Sequence, residues 1–385
     1  MKKNNLIITL AEAQQLALHN QGLLDVGFGK GKKGVLTAIE HLGYVQIDTL
    51  SVVARAHHHT LWSRIPDYKE TYLNELLERD HSIFEYWSHA ASYLPMCDYR
   101  FSLPRKQVFA SGKSHWFEQD KKLNQYVLDR IKAEGPLQSK DFEHKRTSPG
   151  NWYEWKPAKK ALEQLFMQGD LMVAKRQGFQ KVYDITERVL PKNVNTTTPT
   201  EQEYAEHLIK KAIQAHGLVD EAQMTYLRPK AKKTVNNTLK ELIENNEIIE
   251  ISIENHKNTF YSTKEQISVL NSIKPAENIH FLSPFDNAVI QRKRLQTLFN
   301  FDYQIECYVP EAKRKFGYFC LPILYNNQFM GRFDPKADRK TKTFYVKQLF
   351  FEKGFKPSAK FNTAFTTKLN EFAAFNGCNK VVLPK

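Results

Sequence analysis

Gln46-Ile47-Asp48 sets an amide and a carboxylate one residue apart. In extended backbone, alternate residues share a face. Gln46 and Asp48 would then stand side by side, with Ile47 pointing away. Such a pair could hold a water or a sugar, the carboxylate serving as base or counter-charge. On spacing alone the plainer reading leads: Asp48 caps the next helix and Gln46 lies on the surface.

Other residue clusters invite chemistry less directly. His57-His58-His59 resembles a metal cluster, but consecutive side chains diverge on helices and strands alike. No HExxH or paired carboxylate stands nearby, so no metal is expected. A polar face near nucleic acid, using Arg55, His57 and His58, or packing beside Trp62 fits better. The run Gly29-Lys30-Gly31-Lys32-Lys33-Gly34 lacks the GxxxxGK[ST] order and a βαβ setting. It reads as a helix-entry loop whose Lys32 and Lys33 touch phosphate. Trp87 and His89 in EYWSHAASYLP mix stacking and hydrogen-bonding groups, with core packing of Trp87 and Tyr93 as the alternative. Lys156, Lys159 and Lys160 lie largely off the apolar face of a helix. Lys175, Arg176 and Lys181 sit on a hairpin that would straddle a groove, unless it is simply solvated. Arg292, Lys293 and Arg294 read as an exposed basic cluster. Asp286 in SPFDN either places the C-terminal region against the site or caps a turn.

Composition sets the class. The chain has 385 residues, with 56 Lys+Arg against 42 Asp+Glu and a formal charge of +14. The isoelectric point is near 9.3 and the mean hydropathy −0.55. No apolar run is long enough to span a membrane, and LIITL is too short for a signal-peptide core. The 4 cysteines lie far apart without a CxxC, against both a disulfide scaffold and a Cys-rich zinc site. A cytosolic address follows. Aromatic residues make up 12% of the chain and interleave with cations, which suits nucleic acid.

The elements that would position these residues form an approximate helix–helix–helix–hairpin repeat. In the clearest copy, Leu123, Tyr126, Val127 and Ile131 mark a helix ended by Gly135-Pro136. A short helix starts at Ser139, and a third begins near Pro157 and stops at Gly169. Strands over 171–174 and 181–185 follow, joined by 175–180. A second copy opens with a Thr200/Glu203 capping box and a helix ending at Gly217. Its third helix runs through Val235, Leu239, Leu242 and Ile243, and its hairpin spans 247–253 and 260–263. The acidic strands of that copy suit a spacer more than a DNA reader. A looser N-terminal copy has a Thr9/Glu12 capping box and a helix through Val35, Leu36, Ile39 and Leu42. Gly43 ends that helix, and Tyr44–Asp48 follows as a strand or extended turn. Beyond Ile279, short apolar runs and the Asn326-Asn327 turn predict a small β-barrel or curled sheet closed by a helix near 364–375. The fold expected is α+β: three tandem winged helix-turn-helix units and a C-terminal β-barrel. The boundaries expected are 1–118, 119–191, 192–276 and 277–385.

The strings VQIDTLSVVARAHHHTLWSR, SIFEYWSHAASYLP, NWYEWKPAKKALEQLFMQGDLMV, LSPFDNAVIQRKR, LFNFDYQIECYVPEAKRKFGYFCLPIL and GRFDPKADRK occur in that order. Through them nearly the whole chain resembles the bacterial YcaQ/AlkZ family of winged-helix DNA glycosylases, most closely its YcaQ branch. The resemblance implies tandem winged helices with a β-barrel. It also implies hydrolysis of the N-glycosidic bond of alkylated bases, including interstrand crosslinks of the nitrogen-mustard type. The family's catalytic motif is Gln-apolar-Gln in one branch and Gln-apolar-Asp in the other. Gln46-Ile47-Asp48 has the second form.

The reading reached is a monofunctional DNA glycosylase needing no cofactor or metal. It would act as a monomer on double-stranded DNA carrying alkylated or crosslinked bases. It would be cytoplasmic, nucleoid-associated when bound, and without a membrane partner. A non-enzymatic winged-helix transcription regulator is the alternative, since winged helices more often read DNA than cut it.

Overall fold

The computed structural model describes residues 6–24, 27–112, 120–142, 157–274 and 277–384. Two compact units emerge: residues 1–68 together with 205–385, and residues 69–204.

In the first unit, the Thr9/Glu12 capping box forms as expected and starts the helix Leu10–Asn20. The helix Gly31–Leu42 buries Val35, Ala38, Ile39 and Leu42, one face at helical spacing. The apolar run at the N-terminus is a strand: Leu6–Ile8 pairs in parallel with Ile249–Ile253, which pairs antiparallel with Thr259–Ser262. Ile8, Leu16, Leu218, Ile251, Ile253 and Phe260 close a core around it.

The C-terminal part of this unit is a five-stranded sheet. Its order is Lys380–Val382, Thr343–Phe351, Gln328–Asp338, Leu321–Tyr325, Ile279–Phe281. Asn326 and Asn327, at φ +46° and +66°, make the expected turn. Of the two forms expected, the sheet is the open one and not the closed barrel: among the described residues its two edge strands do not pair. The helix Ala359–Phe375 supplies the missing cover. It starts at the Ser358 cap, and its Phe361, Phe365, Leu369 and Phe372 join Phe281, Phe333 and Phe344 in one core. A helix fills the apolar face that strand closure would have filled.

The second unit carries the clearest repeat copy. Its elements are the helix Lys121–Glu134, a 3₁₀ turn Ser139–Asp141, the helix Pro157–Gln168 and the hairpin Leu171–Gln177/Gln180–Ile185. The strands are longer than the sequence suggested and leave a two-residue turn at Gly178-Phe179. The loop around Ser148-Pro149-Gly150, and Lys156, lie outside the described residues. A second hairpin, Ile83–Trp87/Ala91–Pro95, carries Trp87 and His89 at its tip.

Candidate active site

Gly43, at φ +76°, ends the helix Gly31–Leu42 in the left-handed region. The chain turns there into a strand of two residues, Val45–Gln46, shorter than the extended run expected over 44–48. Val45, Gln46 and Ile47 are buried, and Asp48 is half-buried. Oδ1 of Asp48 accepts the Leu50 N–H at 2.8 Å, closing a local turn. The next helix, Ala56–Trp62, has Arg55 as its N-cap. Asp48 therefore does not cap it, so that plainer reading fails. Burial pushes the Asp48 carboxyl above the ordinary carboxylate range, while backbone hydrogen bonds from Leu50 and Thr49 pull it back.

The segment around the motif is laced to the C-terminal part of the same unit. Asn287 Nδ2 donates to the Tyr44 carbonyl at 3.0 Å, and Arg339 Nη1 donates to the Ser51 carbonyl at 3.2 Å. Ala337 N donates to the Val52 carbonyl at 3.0 Å, and Ala54 N to Asn376 Oδ1 at 2.6 Å. Arg64 and Asp286 form a two-pronged pair at 2.7 and 2.8 Å, with both side chains fully buried. Arg64 also donates to the carbonyls of Gln21 and Thr60, and Asp286 accepts the Ala288 N–H. Both readings of Asp286 hold: it caps its turn and ties the C-terminal region to the helix behind the motif.

Cys307 and Tyr308 lie within electrostatic reach of Asp48. Burial first, and then the Asp48 charge among smaller contributions, raises both groups above their ordinary values. Tyr308 is 79% exposed, more than any other large apolar or aromatic residue among those described. Its loop is braced from within. Glu306 accepts the N–H groups of Lys315, Phe316 and Gly317 at 2.9, 2.8 and 3.1 Å. Asp334 accepts those of Tyr318 and Phe319 at 3.2 and 3.0 Å. An exposed ring thus stands on a braced loop within electrostatic reach of a half-buried carboxylate.

The sequence model of the family described as "DNA glycosylase AlkZ-like" matches residues 39–375. The chain belongs to the AlkZ-like DNA glycosylase family. Among solved structures it is similar to the Streptomyces sahachiroi DNA glycosylase AlkZ. The two are 14% identical, with a TM-score of 0.65 over 98% of this chain and 100% of that one, a likeness of fold.

The candidate DNA contacts of this AlkZ-like chain fall into two groups. Lys33, Lys159, Lys175 and Lys293 are exposed, and Arg55, His58, Trp87, His89, Lys32 and Lys160 are partly so. His58 bonds the Tyr68 hydroxyl at 2.7 Å, and Arg105 stands 5.3 Å over the Trp87 ring. The second group is turned inward. His57 is buried, and so is His59, whose ring donates to the Phe281 carbonyl and is held near pKa 4 by burial. Among the described residues no three His, Cys, Asp or Glu side chains gather as a metal site.

Four basic residues have protein partners that the sequence reading did not include. Arg294 is buried and donates to the Leu218 and His216 carbonyls and to Gln223 Oε1, so the 292–294 cluster is not exposed as a whole. Arg292 reaches the Val289 and Pro284 carbonyls and packs 4.7 Å over Tyr303. Arg176 forks onto buried Glu85, with Nη2 2.7 Å from Oε2, and Lys181 lies 4.1 Å over the Phe166 ring. Each has the charge expected of a phosphate contact and a partner the local pattern does not reveal. Tyr308 was missed for the converse reason: an exposed tyrosine has no periodic signal.

Proposed function

We propose that this AlkZ-like chain is a monofunctional glycosylase of the Gln-apolar-Asp branch. It hydrolyses the N-glycosidic bond of alkylated purines, including purines in interstrand crosslinks, with Asp48 and Gln46 as its catalytic pair. One observation carries the reading: a half-buried carboxylate, fixed by its own turn and not used as a helix cap, beside a buried amide.

The chemistry needs little more. Alkylation at N7 or N3 leaves the purine positively charged, so it departs as a neutral base with the glycosidic electron pair. Positive charge then develops on the sugar, as in glycoside hydrolysis. Asp48 opposes that charge and takes the proton of the water that attacks C1′, while Gln46 holds the water. No acid is required for an already cationic leaving group. Tyr308 offers a ring face to the lesion.

Lys32, Lys33, Lys156, Lys159, Lys160, Lys175, Lys181, Arg292, Lys293, Arg55 and His58 are the proposed backbone contacts, and Trp87 and His89 the proposed contacts of the second hairpin. Arg176, Arg294 and His57 are not among them. The finer fold proposed is three winged helices over 1–118, 119–191 and 192–276, followed by the sheet domain. The proposed partner is damaged duplex DNA, and the proposed state is a monomer.

Single-turnover release of base from N7-methylguanine duplex tests the centre of the reading. Asp48→Asn keeps the shape and removes the charge. The rate should fall about 10²–10³-fold, the usual loss for one such electrostatic group. DNA binding should be retained. Because burial raises the Asp48 pKa, wild-type activity should rise with pH through a value above 3.8, and Asp48→Asn should lack that limb. Wild-type release by a folded Asp48→Asn variant would sink the mechanism. Footprinting of one sequence without base release would favour the regulator.

A further inference from the structure

Leu227 sits where a leucine is least at home. The Arg228 N–H donates to the Thr225 carbonyl at 2.8 Å, making a tight turn with Leu227 at its third position. Its φ is +56°, a conformation glycine or asparagine ordinarily takes. Among the described residues with positive φ other than glycine, Leu227 alone is apolar; the others are asparagine, histidine or lysine. The side chain is 64% exposed, so burial does not offset the strain. Half-buried Arg228 and exposed Lys230, Lys232 and Lys233 follow it within six residues of chain.

The turn is tied to the candidate site through hydrogen bonds within one unit. The Tyr226 hydroxyl donates to the Ile290 carbonyl at 3.2 Å. Ile290 N bonds back to the Asp286 carbonyl, and the neighbouring Asn287 holds the Tyr44 carbonyl, two residues before Gln46. Arg228 and Tyr226 are also the charged and polar groups that bear most strongly on half-buried Tyr44. An exposed, strained apolar tip amid cations matches the side chains that proteins insert between base steps, with phosphates held on either side.

We propose that Leu227 is an intercalating wedge that enters the base stack beside the lesion while Arg228, Lys230, Lys232 and Lys233 hold the backbone. Opening one step exposes the deoxyribose to Asp48 without extruding the base, which a crosslinked base requires. The inference rests on the glycosylase reading above.

The test compares Leu227→Gly and Leu227→Ala with wild type and Asp48→Asn on the same N7-methylguanine, placed in a paired duplex or in a single strand. Glycine relieves the backbone strain, so the melting temperature of Leu227→Gly should hold, and lost activity is then not lost folding. Release from the duplex should fall on the order of 10- to 100-fold, part of the unstacking energy expressed as a rate. Release from the single strand, whose base is already unstacked, should change little. A 2-aminopurine beside the lesion should brighten with wild type and Asp48→Asn, and not with Leu227→Gly. Wild-type duplex rates in both leucine variants, or equal losses on the two substrates, overturn the wedge. Those outcomes with Asp48→Asn still inactive leave the catalytic reading standing, whereas an active Asp48→Asn overturns that reading instead.

Discussion

The segments 121–189 and 201–262 follow one plan and end in different chemistry. Each has a first helix ended by glycine, a lone bridge, a short helical turn, a third helix and a hairpin. Even the bridges correspond: Leu137 to Tyr183 in one, Val219 to Tyr261 in the other. The hairpin of the second segment is covered along its outer edge by the strand Leu6–Ile8, and that edge is consumed in the core. What this segment leaves outside is the turn with Leu227. The hairpin of the first segment stands as a two-stranded sheet with a tight tip and exposed Lys175. The same local pattern therefore yields a free-standing hairpin in one place and a hairpin paired to a third strand in the other. Neighbours far along the chain decide which.

Breaking the anchors behind each segment tests that contrast, and the largest effect belongs to the first unit. Asp286→Ala leaves the Arg64 charge buried without its carboxylate, a loss of about 3–5 kcal/mol. Chemical denaturation should show it, together with slower base release, since the segment holding Asp48 loses its tie. A loss under about 1 kcal/mol would mean that water replaces the pair.

The second unit is backed instead by a buried lysine. Lys106 stands 3.9, 5.0 and 5.7 Å from the rings of Tyr99, Tyr86 and Phe84, and burial pulls its pKa down to about 7. Between that value and the ordinary 10.5 the unfolded chain binds a proton that the folded unit has released. Stability should therefore rise with pH across this window, by at most about 1.4 kcal/mol per pH unit. Below it the penalty is fully present. Lys106→Met should flatten the dependence, and a wild-type curve already flat from pH 7 to 10 would refute the assignment.

Glu85→Ala should take from Arg176 its carboxylate partner behind the hairpin, leaving it the Phe179 carbonyl and ring and Tyr93. The expected loss is about 2–3 kcal/mol, smaller than for Arg64 because the guanidinium reaches the rim. The smallest effect separates the hairpins as DNA contacts. Lys175→Gln should lower the slope of log affinity against log salt by about 1. Lys257→Gln, at the tip of the other hairpin, should leave it unchanged. Equal effects would erase the distinction.

Much of the local frame was legible because its determinants lie within a few residues. The Thr9/Glu12 and Thr200/Glu203 boxes form, Gly43 and Gly135 end their helices, and Asn326-Asn327 turns the chain. The motif Gln46-Ile47-Asp48 and the family resemblance were equally present in the sequence, since both are matters of residue identity and order.

The destinations of the charges were not. Arg176 meets Glu85 across 91 residues and Arg64 meets Asp286 across 222, so neither pairing leaves a periodic trace. The lone strand Leu6–Ile8 reads as an apolar run until Ile249–Ile253 pairs with it. Whether the C-terminal sheet closes was not legible, because alternating strands announce a face to be buried without saying what buries it; the helix Ala359–Phe375 does. Sequence by itself determined where helices and turns begin and which residues could do chemistry, through hydrogen bonds and sterics local to the chain. Tertiary structure decided which cations face solvent, and which large side chains, Tyr308 and Leu227, stay exposed. Burial and proximity depend on atoms brought together from distant parts of the chain.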